Sequence, residues 1–130
     1  MQKLFDFTYR KRYTCGGELK RIAAVFYQSE SGIEPVRDWL KSLDIEDRRV
    51  VGFDIAVLEF GWPIGMPLCR SLGAGLWEVR SNLAHGRIAR ILFCPAQGNM
   101  VLLHAFVKKT QRTPAPDLQV ARKRQRNIGR

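Results

Sequence analysis

Hydrophobic and polar positions alternate with a period of two through three stretches in the second half of the chain, GLWEVRSN (75–82), GRIARILFC (86–94) and NMVLLHAFVK (99–108). That period belongs to strands that bury one face. The intervening LAH and PAQG carry turn chemistry, so the three runs read as an antiparallel meander. Strict alternation sends Trp77, Val79, Ala89, Ile91, Phe93, Val101, Leu103, Ala105 and Val107 to one face, which is apolar throughout and reads as core. The other face collects Leu76, Glu78, Arg80, Ile88, Arg90, Leu92, Cys94, Met100, Leu102, His104, Phe106 and Lys108.

Upstream the period changes. Pro35 sits at a helix start, and Val36, Trp39, Leu40 and Leu43 recur at spacings of three and four, giving a short amphipathic helix. Asp44 caps a longer one, in which Val51, Ile55 and Leu58 form an apolar stripe widened by Val50, Val57 and Phe60 until Gly61 stops it. The two helices form a hairpin that needs a flat apolar surface, and the core face of the meander supplies one. Residues 20–29, rich in β-branched and aromatic side chains and broken by Ser31-Gly32, predict a first strand, while 67–72 fits a short strand or a loop. At the far end Thr113 can cap a helix with Pro114 in its first turn. Leu118, Ala121 and Ile128 line one side of it, and Arg122, Lys123, Arg124 and Arg126 surround the rest. The fold class is therefore α+β, a single domain over 20–130. Residues 1–19, basic and without sustained period, read as an extension.

Composition narrows the partners more than the chemistry. Twenty-two Lys and Arg against twelve Asp and Glu give a formal charge of +10, which favours polyanions, above all phosphate backbones. Cys15, Cys69 and Cys94 lie far apart with no C-x-x-C pair, so neither a zinc knuckle nor a disulfide framework is indicated. No apolar run is long enough for a membrane span or a signal peptide, and a cytoplasmic protein with reduced thiols is expected. Trp39, Trp62 and Trp77 are read as core residues, and His85 is assigned no role.

The mixed face of the meander is where charge changes the picture. Glu78, Arg80, Arg90, His104 and Lys108 beside Phe106 suit a bent RNA strand, whose phosphates are neutralised by cations and whose bases stack on rings or guanidinium planes. Such a shelf fits attack of a ribose 2′-OH on the adjacent phosphorus, which needs charge stabilisation on the phosphoryl oxygens, a base and an acid. Arg80, Arg90 and Lys108 supply the first; His104, Glu78 or a lysine can supply the others. The reaction calls for no metal or cofactor, and no carboxylate cluster for magnesium is evident.

GLWEVR, RIARILF and LLHAFVKKTQRTP, followed by a basic helix, resemble the HigB-like, phage-derived branch of the RelE/ParE toxin superfamily of type II toxin–antitoxin systems; the last segment is the most specific. The resemblance implies a RelE-like fold and a ribosome-dependent mRNA endoribonuclease, silenced by a cognate antitoxin that often carries a helix-turn-helix domain. It also implies that Arg80 holds the scissile phosphate, that Arg90 supports it, and that Lys108 and Lys109 bind phosphate or transfer protons. Glu78, Phe106, Arg122, Lys123, Arg124 and Arg126 complete the expected RNA-binding set. Phe93 stands where many relatives carry tyrosine, so no hydroxyl is offered there. The ParE branch inhibits DNA gyrase, which leaves a non-cleaving inhibitor as the alternative; a phage accessory protein that only binds nucleic acid is the other.

Overall fold

The computed structural model describes residues 20–108 and 112–128. Its sheet carries five strands in the order β1-β5-β4-β3-β2: β1 (Ala23–Phe26), β2 (Cys69–Gly73), β3 (Leu76–Asn82), β4 (Ile88–Ala96) and β5 (Asn99–Lys108). β1 pairs parallel to β5 and every other pair is antiparallel. Three α-helices complete the described chain: α1 (Pro35–Ser42), α2 (Ile45–Gly61) and α3 (Ala115–Arg126). The α+β class and the RelE-like arrangement of helical hairpin, meander and basic C-terminal helix are therefore present. The extension at 1–19 and Lys109 lie outside the described residues.

Local signals explain the hairpin. Pro35 opens α1, and the Asp44 carboxylate accepts from the Asp47 N–H at 2.9 Å at the start of α2. Val36, Leu40, Val51, Ile55 and Leu58 are fully buried against Val79, Ala89, Ile91 and Phe93. Trp62 packs edge-on against Trp77 at 5.0 Å and Phe93 at 5.7 Å, and Trp39 also joins this core. Two ion pairs fasten the layers: Arg87, in the β3–β4 turn, grips the buried Asp47 with both Nη groups, and the Glu59 carboxylate accepts from Lys20 Nζ and the Ala24 N–H. The apolar stripe of α2 is narrower than its sequence suggests. Val50 and Val57 are 38% and 37% exposed and Phe53 66%, because they lie on the side of the helix turned from the sheet.

Strict alternation holds for β3 and β4 and fails on β5. Leu92 pairs with His104 but Phe93 with Leu102, so Leu103 is an extra residue in a β-bulge. A one-residue insertion flips every side chain beyond it. Met100 and Leu102 consequently lie under the hairpin with Ala24 and Phe26, whereas Val101 and Leu103, expected there, face the other way.

That second face is not an open shelf along its whole length. Ala121 of α3 is fully buried on it, with Leu118 and Ile128 packed alongside, over Leu76, Leu92, Cys94, Val101, Leu103 and Phe106. Burying about 25 cal/mol for each Å² of this apolar surface anchors the basic helix. Cys69 and Cys94 are buried free thiols, raised by burial to about 12 and about 11, with Glu78 adding to the shift at Cys69. Among the described residues no helix is long and apolar enough to cross a membrane.

Candidate functional site

The half of the second face that α3 leaves uncovered is organised by one carboxylate. Glu78 points from β3 to that side and is fully buried. Its Oε1 accepts from Arg80 Nε and from Arg70 Nε, each at 3.2 Å, and its Oε2 accepts from the Thr113 hydroxyl at 2.6 Å. Strand geometry dictates the company. Arg70 stands directly across from Glu78 on β2, Arg80 is two residues along β3 on the same face, and Arg90 faces Arg80 across β4.

Two arginines directly opposed repel one another, and here the diagonal carboxylate offsets the repulsion. Arg90 is the largest fully buried side chain. Burial lowers its pKa, the Glu78 charge acts in the opposite sense, and Arg80 and Arg70 lower it further. Guanidinium stays protonated in proteins, so three cations surround one anion and the cluster retains net positive charge. The three arginines differ in exposure. Arg70 and Arg80 are 33% and 19% exposed at the side chain, and Arg90 meets no solvent.

The remaining expected residues are spread around this centre. His104 Nε2 and Asp117 Oδ1, the latter in the first turn of α3, lie 2.7 Å apart, and the His104 ring is 5.7 Å from Phe106. Phe106 is itself buried across from Arg90, so it supports the cluster from within and presents no open ring for stacking. Lys108 is exposed at the end of β5, opposite Ile88.

The four cations of α3 divide in two. Arg122 donates to the Leu72 and Gly73 carbonyls at the end of β2, at 3.0 and 2.9 Å. Arg124 donates at 2.8 Å to the carbonyl of Leu103, the bulged residue, while lying 5.8 Å from the Tyr27 ring centroid; burial lowers its pKa. Lys123 and Arg126 are exposed. The helix is thus not evenly solvated on its basic side: two of its cations hold it to the sheet.

Three residues of the site escape a reading of the sequence. Arg70 lies in the segment that fitted strand or loop, and alternation through CRSLG would have placed it beside Glu78. Thr113 was expected to cap α3; the N-cap is Pro114, and the hydroxyl goes to Glu78 instead. Asp54 lines a cavity of about 230 Å³ next to Arg80, with Pro67, Leu68, Asn82 and Ile88. Burial raises the pKa of Asp54, and a hydrogen bond with Ser81 offsets part of that. Among the described residues no group of three or more His, Cys, Asp or Glu side chains is placed to hold a metal ion.

An α+β sheet protein with a buried carboxylate ringed by arginines is the class that fold and site define. The chain belongs to the phage-derived Gp49-like family, whose profile matches residues 38–126, from within α1 to the end of α3 and across every residue of the cluster. The family falls in the toxin-like, phage-derived group. A comparison with curated proteins finds no match.

Proposed function

We propose that the chain is the toxin of a type II toxin–antitoxin pair, of the HigB-like branch, and that it cuts mRNA on the ribosome by metal-independent attack of a ribose 2′-OH on the adjacent phosphorus. The observation that carries this reading is the Arg70–Arg80–Arg90 cluster around Glu78, with Arg70 and Arg80 partly exposed, within a family of toxin-like proteins.

In this reading Arg80 donates to the phosphoryl oxygens as negative charge builds on them. Arg90, fully buried, raises the local potential without touching RNA. The 2′-oxygen bonds to phosphorus as its proton passes to a base; the 5′-oxygen leaves as it gains a proton, and a 2′,3′-cyclic phosphate remains. His104, held by Asp117 as imidazoles in hydrolases are held by carboxylates, serves one proton transfer. Lys108 serves as phosphate ligand or as the second proton carrier, with Lys109 beside it in the chain. The exposed Lys123 and Arg126 steer the protein to ribosomal RNA. Ribosome, mRNA and a helix-turn-helix antitoxin are the partners, and the cytoplasm is the compartment.

Induced expression tests this. Growth should stop while translated mRNAs shorten, and arrest with intact mRNA would sink the reading. DNA-damage signalling with mRNA spared would point instead to a gyrase inhibitor.

A further inference from the structure

At the edge of the sheet away from β2, the turn that follows β1 and leads into α1 faces the C-terminal half of α3 across a cavity of about 460 Å³. Ile33, Pro35 and Val120 give this groove an apolar side, and Lys123 and Arg124 give it a cationic one. Both walls are held by their own bonds. In the turn the Ser29 N–H donates to the Ile33 carbonyl at 2.8 Å and the Ile33 N–H to the Ser29 hydroxyl at 3.1 Å, with Gly32 supplying a φ of 90°. On the other side Arg124 holds α3 to the Leu103 carbonyl, and Asn127 Nδ2 donates to the Tyr27 hydroxyl at 3.3 Å, which joins the two walls. A groove fixed in this way lowers the ordering cost of binding.

Its chemistry selects the occupant. Ile33 is 55% exposed beside the half-buried Pro35 and Val120, so an aliphatic side chain laid against them removes apolar area from water. Lys123 is exposed, the Arg124 guanidinium stays charged, and among the described residues no carboxylate lines this cavity, so the charge that complements it is negative. A nucleic acid fits less well. The adjoining cavity of about 750 Å³, which shares Tyr27 and Asn127, is lined by the exposed Glu30, which repels a phosphate backbone running through both. The Tyr27 ring is buried, with the Arg124 guanidinium 5.8 Å from its centroid, and offers no open face to a base.

We propose that this groove docks an extended segment of a partner protein, in which an aliphatic side chain meets Ile33, Pro35 and Val120 and neighbouring carboxylates meet Lys123 and Arg124. The proposal does not depend on the RNA reading. Arg70, Glu78 and Arg80 lie on β2 and β3, at the other edge of the sheet, so the two sites do not overlap. Steering of RNA by Lys123 acts through the long-range field and needs no contact, so both roles are compatible.

Fluorescence anisotropy of the full chain with a fluorescein-labelled decapeptide, Asp and Glu around one central Leu, tests this. Kd should rise about 5-fold in K123E, about 5-fold in I33S, and about 5-fold when the peptide's Leu is replaced by Ser. I33S and the Ser peptide together should cost no more than either alone, because both remove the same contact. R49E makes the same change of net charge at an exposed position of α2 and should stay within about 2-fold of wild type. Ile33 and Lys123 are exposed, so both variants keep the fold, which circular dichroism checks. Equal weakening by K123E and R49E overturns the proposal, as do additive losses from I33S and the Ser peptide, or a wild-type chain that does not bind the Leu peptide. A fluorescein-labelled 2′-O-methyl oligoribonucleotide that loses as much affinity to I33S as the peptide does assigns the groove to RNA and overturns the choice of partner.

Discussion

Arg80 and Arg90 stand directly opposite each other on β3 and β4, and the carboxylate of Glu78, two residues from Arg80 along the strand, pairs with both Arg80 and Arg70. Opposed like charges in a half-covered site persist only if an anion offsets them. Glu78 is therefore as much a part of the fold as of the site.

Removing that anion should be costly. E78A leaves the buried Arg90 without its compensating charge and the Thr113 hydroxyl without its acceptor, and should destabilise the protein by about 3 kcal/mol. Urea denaturation followed by far-ultraviolet circular dichroism measures it. T113V, which loses the hydroxyl alone, should cost about 1 kcal/mol.

Neighbouring cations on α3 should behave differently. R124A loses the bond to the Leu103 carbonyl and its place against Tyr27, and should cost about 2 kcal/mol. K123A, at an exposed position, should stay within about 0.5 kcal/mol of wild type. Equal effects in denaturation would mean that α3 does not dock through Arg124.

How much of this was legible in the sequence depends on where the backbone keeps its period. β3 and β4 pair without interruption, so alternation sorts Trp77, Val79, Ile91 and Phe93 from Glu78, Arg80 and Arg90 correctly. On β5 the bulge at Leu103 breaks the rule, and no residue in NMVLLHAFVK announces it: an apolar pair, Leu102-Leu103, satisfies either face. The apolar side of α3, Leu118, Ala121 and Ile128, was readable, but period alone does not say which surface it covers. Arg70 was hidden by the ambiguity of its segment, and the buried state of Glu78 by the absence of any local signal that Arg70 of β2 and Thr113 ahead of α3 would converge on it. Val50 and Val57 show the converse error, apolar residues assigned to a stripe that already has its full width in Val51, Ile55 and Leu58.

Asp54 should leave a signature in the pH dependence of stability. Its folded-state pKa is raised above the ordinary 3.8, mainly by burial, so the folded protein favours the protonated carboxyl. The contribution is fully present below 3.8 and is lost as pH rises through the raised value. D54N should therefore gain stability relative to wild type as pH climbs above 3.8, and a difference that is flat with pH in thermal denaturation would contradict the burial of this group.

The thiols offer a simple check on the core. Cys69 and Cys94, raised to about 12 and about 11, should resist iodoacetamide at pH 8 in the folded chain and react on unfolding. Peptide-resolved mass spectrometry reads each one separately. Rapid labelling of either in the native protein would place it at the surface.

The central claim is that the arginine cluster cuts RNA, and mapping mRNA 5′ ends after induction of wild type and R80A tests it most directly. The account predicts new ends within translated regions in the wild type and at least 100-fold fewer in R80A, about 3 kcal/mol of transition-state stabilisation for a lost oxyanion donor, with R80A still folded. New ends at wild-type frequency in folded R80A, or growth arrest by the wild type with mRNA intact, would contradict it.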